Sequence, residues 1–204
     1  MVRSKSALAV QLGKVAPFKA PKDRAEQYAT DPELAADMLW LAYMQRDIEG
    51  RKVLDLGAGT GILGIGALML GAKKVMFVEN DKDAIEQLKE NLSGFDSYEI
   101  IDKDATSTLP TADIVVTNPP FGTRDKHADI CFLDSASKVA ETVYSIHKSV
   151  TKDYIIGHAK KLGYRTTHHL EREIMLKRTQ GFHTRSIHRI GVTVFRLQKD
   201  QPKA

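Results

Sequence analysis

Four consecutive residues, Asn118, Pro119, Pro120 and Phe121, combine a side-chain amide, two backbone nitrogens without hydrogens and an aromatic ring, directly after the apolar run Ile114-Val115-Val116. Prolines remove the donors a central strand needs, so a strand must end here and leave these side chains at the sheet edge. That edge is where open α/β sheets bind ligands. The chemistry such a set suits is transfer to an amino nitrogen on a planar group. The N6 amino group of adenine is a poor nucleophile because its lone pair is delocalised into the ring. Two acceptors, the Asn118 side-chain oxygen and the Pro119 carbonyl, would hold both amino hydrogens and draw the nitrogen toward tetrahedral geometry. Phe121 would stack on the base, which must leave any helix to enter such a pocket. Proximity and orientation then supply most of the acceleration, and no strong general base is required. In isolation the four residues also read as a plain strand-ending turn, so the residues upstream decide.

Upstream, Asp55-Leu56-Gly57-Ala58-Gly59-Thr60-Gly61 sits where a strand pattern gives way to a helix pattern, and its glycines let backbone approach a ligand closely. The phosphate-binding dinucleotide fingerprint requires glycine where this chain has Ile62. Asp55, just ahead of the glycines, would repel a pyrophosphate and attract a sulfonium or amino group. S-adenosylmethionine carries both cations and no phosphate, so it fits better than NAD. Glu79 closes the next strand pattern, where a carboxylate accepts ribose hydroxyls. Asp81 is expected to cap the following helix. Asp104-Ala105 follows the third strand pattern, where a carboxylate could accept from an adenine amino group.

The elements that must position these residues form a regular alternation. Strand patterns at 52–56, 75–79, 98–101, 113–117 and 142–147 alternate with helix patterns at 62–70, 83–92, 128–139 and 152–162. This predicts a parallel sheet covered on both faces. Gly71 and Gly94 fall where helix C-termini need a left-handed residue. Two β-rich stretches at 165–176 and 187–197 follow, predicting an antiparallel closing hairpin. Before the first strand, Ala7, Leu8, Leu12 and Val15 recur at helical spacing. A proline-rich, charged segment at 17–24 reads as extended chain, and Thr30-Asp31-Pro32-Glu33 as a helix start, with Thr30 or Asp31 as the cap. The whole is expected to be one domain, residues 1–204, with 1–50 a helical cap over the cofactor site.

Composition bounds the rest. The chain has 204 residues, 42% of them apolar, and a net charge of +4. That is enough for one substantial core and is compatible with a nucleic-acid partner. No apolar run approaches the ~20 residues that cross a bilayer, and the start lacks a secretory signal, so a soluble, cytoplasmic protein is expected. The single cysteine, Cys131, excludes an internal disulfide and is expected to pack on its helix. The histidines show no zinc spacing, so no metal is expected.

Gln27-Tyr28-Ala29-Thr30, Asp55 to Gly61, Asn118-Pro-Pro-Phe-Gly-Thr123 and Val143-Tyr-Ser-Ile-His-Lys-Ser149 together resemble the methyltransferase-like-five family and its archaeal relatives. The resemblance spans nearly the whole chain and is loosest after Arg165. It implies a class I Rossmann-like methyltransferase fold, α/β, with a mostly parallel seven-stranded sheet and an antiparallel closing hairpin. It implies S-adenosylmethionine-dependent N6-methylation of an adenosine in small-subunit ribosomal RNA, and a small zinc-ribbon activator subunit forming a heterodimer. It also implies that Gln27, Tyr28 and Thr30 help to close the cofactor pocket. For RNA contacts the expected residues are Lys19, Lys22 and Arg24 near the pocket, Lys148 at a strand end, and Lys177, Arg178, Arg185 and Arg189 on the hairpin. The competing readings are a protein-glutamine methyltransferase, a DNA adenine methyltransferase and a non-catalytic RNA-binding scaffold. The first two would be expected to bring a further recognition domain, and Phe121 in place of tyrosine favours a nucleic-acid base over a glutamine. The last would be expected to lose the glycines or the Asn-Pro-Pro motif.

Overall fold

Seven strands, β1 (Lys52–Leu56), β2 (Lys74–Glu79), β3 (Tyr98–Asp102), β4 (Ile114–Thr117), β5 (Thr142–Lys148), β6 (Tyr164–Lys177) and β7 (Ile187–Lys199), form one sheet in the order β3-β2-β1-β4-β5-β7-β6. The computed structural model describes residues 2–19, 21–22, 29–121, 128–177 and 187–200, without the side chains of 176, 177, 187 and 188. β1 to β5 are parallel, and β7 runs antiparallel to both β5 and β6, as the two-part sequence pattern predicts. The central strands are apolar on both faces because helices cover both. On one face lie α1 (Lys5–Leu12), α2 (Pro32–Met44), α3 (Ile62–Met69) and α4 (Lys82–Asn91), which share a core with Val53, Phe77, Val116, Tyr144 and Val194. On the other, α5 (Ala128–Val139) and α6 (Lys152–Lys161) pack on Leu54, Val78, Val115, Val143 and Phe195. Among the described residues no helix is long and apolar enough to cross a membrane.

The chain order reverses between β1 and β4, so the loops after these neighbours diverge to opposite faces and leave a crevice at their carboxyl ends. Thr117 locks the two ends together by donating its hydroxyl to the Leu56 carbonyl at 2.7 Å. Close helix-to-sheet packing behind the crevice depends on Gly64: a Cβ there would stand 2.2 Å from Cε1 of the fully buried Phe77 ring. Gly64→Ala is therefore expected to destabilise the protein by about 1–3 kcal/mol and lower Tm by several degrees in a thermal scan.

Three sequence expectations shift in detail. α1 turns Leu8, Ala9 and Leu12 inward, so Ala9 takes the core position expected of Ala7. The hairpin is longer than the pattern indicates: β7 pairs with β5 only as far as Lys148↔Val192, and residues 187–191 continue past the end of β5 with their β6 partners 173–177. Cys131 is exposed rather than packed, because the inward stripe of α5 is Ile130, Leu133 and Ala136, and position 131 falls about 100° off it.

α1 and α2 pack on α3, with Leu12 and Leu39 against Gly66, where a Cβ would come within 2.3 Å of Leu39 Cδ1. The chain between these helices, not the helices themselves, reaches the crevice, through Phe18, Ala29 and Thr30.

Candidate active site

The crevice at the carboxyl ends of β1, β2 and β4 is lined by the glycine turn, Glu79, Asp104, Ala105, Asn118 and Pro120, so the separate sequence motifs converge on one cavity. Gly57, Gly59 and Gly61 have φ of 71°, 55° and 92°, which only glycine adopts without strain. They are also walled in: a Cβ on Gly57 would stand 2.5 Å from the Phe132 ring and one on Gly59 2.8 Å from the Phe18 ring. The backbone N–H groups of Gly57 and Ala58 donate to the Val78 carbonyl at 3.0 and 2.9 Å, fastening the turn to β2. Asn91 on α4 fastens it from above, donating to the Thr60 and Ala16 carbonyls while accepting from the Ala16 N–H.

Four carboxylates line the cavity, Asp55, Glu79, Asp81 and Asp104. Asp55 is 1% exposed and accepts from the Gly64 N–H at 2.8 Å. Burial without a cation pushes its carboxyl up to about 7; the Gly64 hydrogen bond opposes this and nearby Glu79 adds to it. Glu79 Oε2 accepts from the Gly59 N–H at 2.8 Å, while Oε1 accepts from the N–H groups of Asn80 and Asp81, both at 2.9 Å. One acceptor position therefore remains on Oε2. Asp104 Oδ1 accepts from the Thr106 hydroxyl and N–H, which hold its carboxyl below the usual range, and Oδ2 accepts from Asn80 Nδ2 at 3.1 Å. Asp81 caps α4 as expected, through the N–H groups of Asp83 and Ala84.

At the end of β4, Asn118 Nδ2 donates to the Thr30 hydroxyl at 2.9 Å. Asn118 Oδ1 is buried and has no hydrogen-bond partner among the described residues. A buried acceptor left open costs about 1–3 kcal/mol and calls for an explanation. Of the two candidate caps, Asp31 caps α2, accepting from the N–H groups of Glu33 and Leu34. Pro119 is buried, Pro120 lines the cavity, and the half-buried Phe121 packs beside it with Lys148 Nζ 5.8 Å from its ring centroid.

The expected basic rim divides. Lys19 pairs with Glu90 at 2.7 Å, and Lys22 pairs with Asp81 at 2.6 Å and Asp83 at 2.7 Å, so these cations lie along α4 and are partly neutralised there. The two carboxylates push the Lys22 ammonium up to about 12. Arg189 is exposed on the projecting part of β7. Lys177 lies on β6, and its side chain, like Gln27, Tyr28, Arg24, Arg178 and Arg185, lies outside the described residues. Among the described residues no group of three or more His, Cys, Asp or Glu could hold a metal ion.

Phe18, Phe132 and Asn91 are site residues that sequence reasoning missed. Phe18 lies between prolines in a segment readable only as surface chain. Phe132 is one of several apolar positions on α5, and nothing in helical spacing marks which of them overlooks a cavity.

A protein-family model described as "Conserved hypothetical protein 95" matches residues 39–174. The rRNA N(6)-adenosine-methyltransferase Mettl5 of Drosophila melanogaster is 33% identical over 191 residues, covering 89% of this chain and 90% of its own. The corresponding METTL5 of Danio rerio is 36% identical over 147 residues, covering 68% of this chain and 71% of its own. Among solved structures, a candidate RNA methyltransferase from Pyrococcus horikoshii superposes with a TM-score of 0.91 at 42% identity, covering 98% of this chain and 99% of its own.

Proposed function

Because the chain belongs to the Conserved hypothetical protein 95 family and to the METTL5 group of rRNA N(6)-adenosine-methyltransferases, we propose that it transfers a methyl group from S-adenosylmethionine to N6 of an unpaired adenosine in small-subunit ribosomal RNA. One observation carries this reading: the buried Oδ1 of Asn118, without a partner among the described residues, set at the edge of a cavity also lined by the carboxylates of Asp55, Glu79, Asp81 and Asp104. An open acceptor there suits an amino group, and the amide nitrogen is engaged by the Thr30 hydroxyl.

The cavity fits the cofactor. Asp55, Glu79 and Asp104 form an acceptor set for a ligand rich in hydroxyl and amino groups and positively charged, and the glycine turn offers close backbone approach. S-adenosylmethionine, when bound, supplies an electrophilic methyl group. Asp55 would balance its cationic end, Glu79 Oε2 would accept from a ribose hydroxyl, and Asp104 and Ala105 would meet the adenine. Gln27 and Tyr28 would close the pocket with Thr30. Asn118 Oδ1 and the Pro119 carbonyl would take the two amino hydrogens of the target base, directing the nitrogen lone pair at the methyl carbon. Phe121 would stack on that base. The amino group becomes cationic on methylation and loses its proton without a strong base, so positioning is what the protein contributes.

Residues 1–204 act in this reading as one methyltransferase domain of a cytoplasmic enzyme. RNA phosphates would meet Lys148, Arg189, Lys177, Arg178 and Arg185, together with Lys19, Lys22 and Arg24. A small zinc-ribbon activator would cover a sheet edge, and the sheet has two, β3 and β6. The direct test is methylation of ribosomal RNA from cells lacking the protein, with labelled S-adenosylmethionine and mapping of the labelled base. A single N6-methyladenosine in the small-subunit RNA is expected. Label on protein or on DNA instead would overturn the acceptor, and no cofactor binding by calorimetry, with or without a zinc-ribbon partner, would overturn the enzyme.

A further inference from the structure

β5 ends in two residues with opposite duties. The imidazole of His147 is fully buried, with Nδ1 3.2 Å from Asp129 Oδ2 in the first turn of α5 and Nε2 2.7 Å from Ser145 Oγ. Lys148, the next residue, points to the other side, where its ammonium lies over the Phe121 ring. Phe121 is the last described residue before 122–127, and Asp129 is the second residue of α5, which begins at Ala128 directly after them. Adjacent residues of one strand therefore hold both flanks of that segment.

The polar groups fix the tautomer. Asp129 is kept below the usual carboxylate range by the imidazole although burial opposes this, and burial keeps His147 neutral although Asp129 opposes that. An ionised carboxylate only accepts, so Nδ1 carries the hydrogen and bare Nε2 accepts from the Ser145 hydroxyl. Serine, histidine and aspartate in line suggest a hydrolytic triad, but Ser145 is 0% exposed and sits on the same strand as the histidine, so no substrate reaches it. The imidazole also meets Phe195 edge-on at 5.9 Å, so the ring has a defined orientation.

We propose that His147 is a positioning residue for methyl transfer: through Asp129 it anchors the start of α5, and with Lys148 it sets the Phe121 ring against the acceptor site of Asn118. The role rests on the reading of the site given above. The glycine turn, Glu79 and Asp104 are held from β1, β2 and α4, and α5 reaches the cofactor side only through the Phe132 ring against Gly57, one turn beyond Asp129, so the effect is expected chiefly on the acceptor side.

The test compares His147→Phe, which keeps a ring against Phe195 but removes both polar contacts, with His147→Asn, whose amide can still donate to Asp129. Asp129→Ala, at the less buried end of the pair, serves if His147→Phe does not fold. Activity is expressed per cofactor-binding site titrated by calorimetry. His147→Phe and Asp129→Ala are expected to lower kcat by roughly 10²-fold, the cost of a misplacement of about 1 Å. Cofactor affinity should stay within a few-fold, amide exchange at 129–132 should accelerate, and His147→Asn should recover most of kcat. Variants that lower Tm but leave kcat per site unchanged, or an Asn variant as impaired as Phe, would overturn the proposal. A wild-type protein that binds cofactor but methylates no adenosine would overturn the reading of the site itself.

Discussion

Asn118→Ala is expected to lower methyl transfer by roughly 10²–10³-fold while cofactor affinity stays within a few-fold. The effect is large because a single oxygen carries it. Asn118 Oδ1 is buried and open, its partner nitrogen is tied to Thr30, and the cofactor-side acceptors are separate groups on other strands. Removing the amide leaves one acceptor for two amino hydrogens, so the target nitrogen remains planar and its lone pair delocalised. It removes the unpaired buried oxygen and the hydrogen bond to Thr30 together, two effects of opposite sign and similar size, so stability should change by no more than about 1–2 kcal/mol. Calorimetry with S-adenosylmethionine and a single-turnover assay on unmethylated ribosomal RNA separate the two steps. Full activity in the alanine variant would refute the role given to this amide.

Asp55→Asn has the second largest expected effect, and it divides stability from function. The Asp55 carboxyl titrates near 7 in the folded protein because it is buried, against about 4 in the unfolded chain. Between those values the folded state holds a proton that the unfolded chain has lost, so this group's contribution to stability falls as pH rises from about 4 to 7. The penalty above pH 7 amounts to about 4 kcal/mol as an upper bound. Asparagine retains an oxygen for the Gly64 N–H and carries no charge, so the ligand-free variant should melt higher than wild type at pH 8. It should also bind S-adenosylmethionine at least ~10²-fold more weakly, because the counter-charge for a buried cation is gone. In the wild type, binding selects the ionised carboxylate, so affinity should rise about tenfold per pH unit up to about 7 and then level off. The asparagine variant should show no such slope. Calorimetry from pH 5.5 to 8.5 checks both, and a pH-independent wild-type affinity would exclude Asp55 as the counter-ion.

Much of this site was readable from residues alone. Asp55, the three glycines, Glu79 and Asn118 mark the ends of successive strand patterns, and parallel strands must bring like ends to one edge. What was not readable arises from long-range packing. The role of Phe132 depends on which face of α5 overlooks Gly57, and that of Phe18 on a segment with no periodicity. Thr30 and Asp31 were interchangeable as caps in sequence; Asp31 takes the cap, and Thr30 meets Asn118, 88 residues away. Lys19 and Lys22 drew attention as cations, yet the carboxylates that partner them lie on α4, 59 to 71 residues distant.

The sequence by itself determined the alternation of strands and helices, the closing hairpin and the sheet edge at which the separate motifs meet. These follow from local rules: side-chain periodicity, glycine's access to positive φ and proline's missing donor. Tertiary structure alone decided that the amide of Asn118 is fixed by Thr30 with its oxygen left open. It also decided that Asp55 is buried without a cation, and that His147 turns inward to Asp129 while Lys148 turns outward over Phe121. Each of these depends on which groups from distant parts of the chain share a low-dielectric space, and burial and hydrogen-bond satisfaction are properties of that shared space rather than of any one segment.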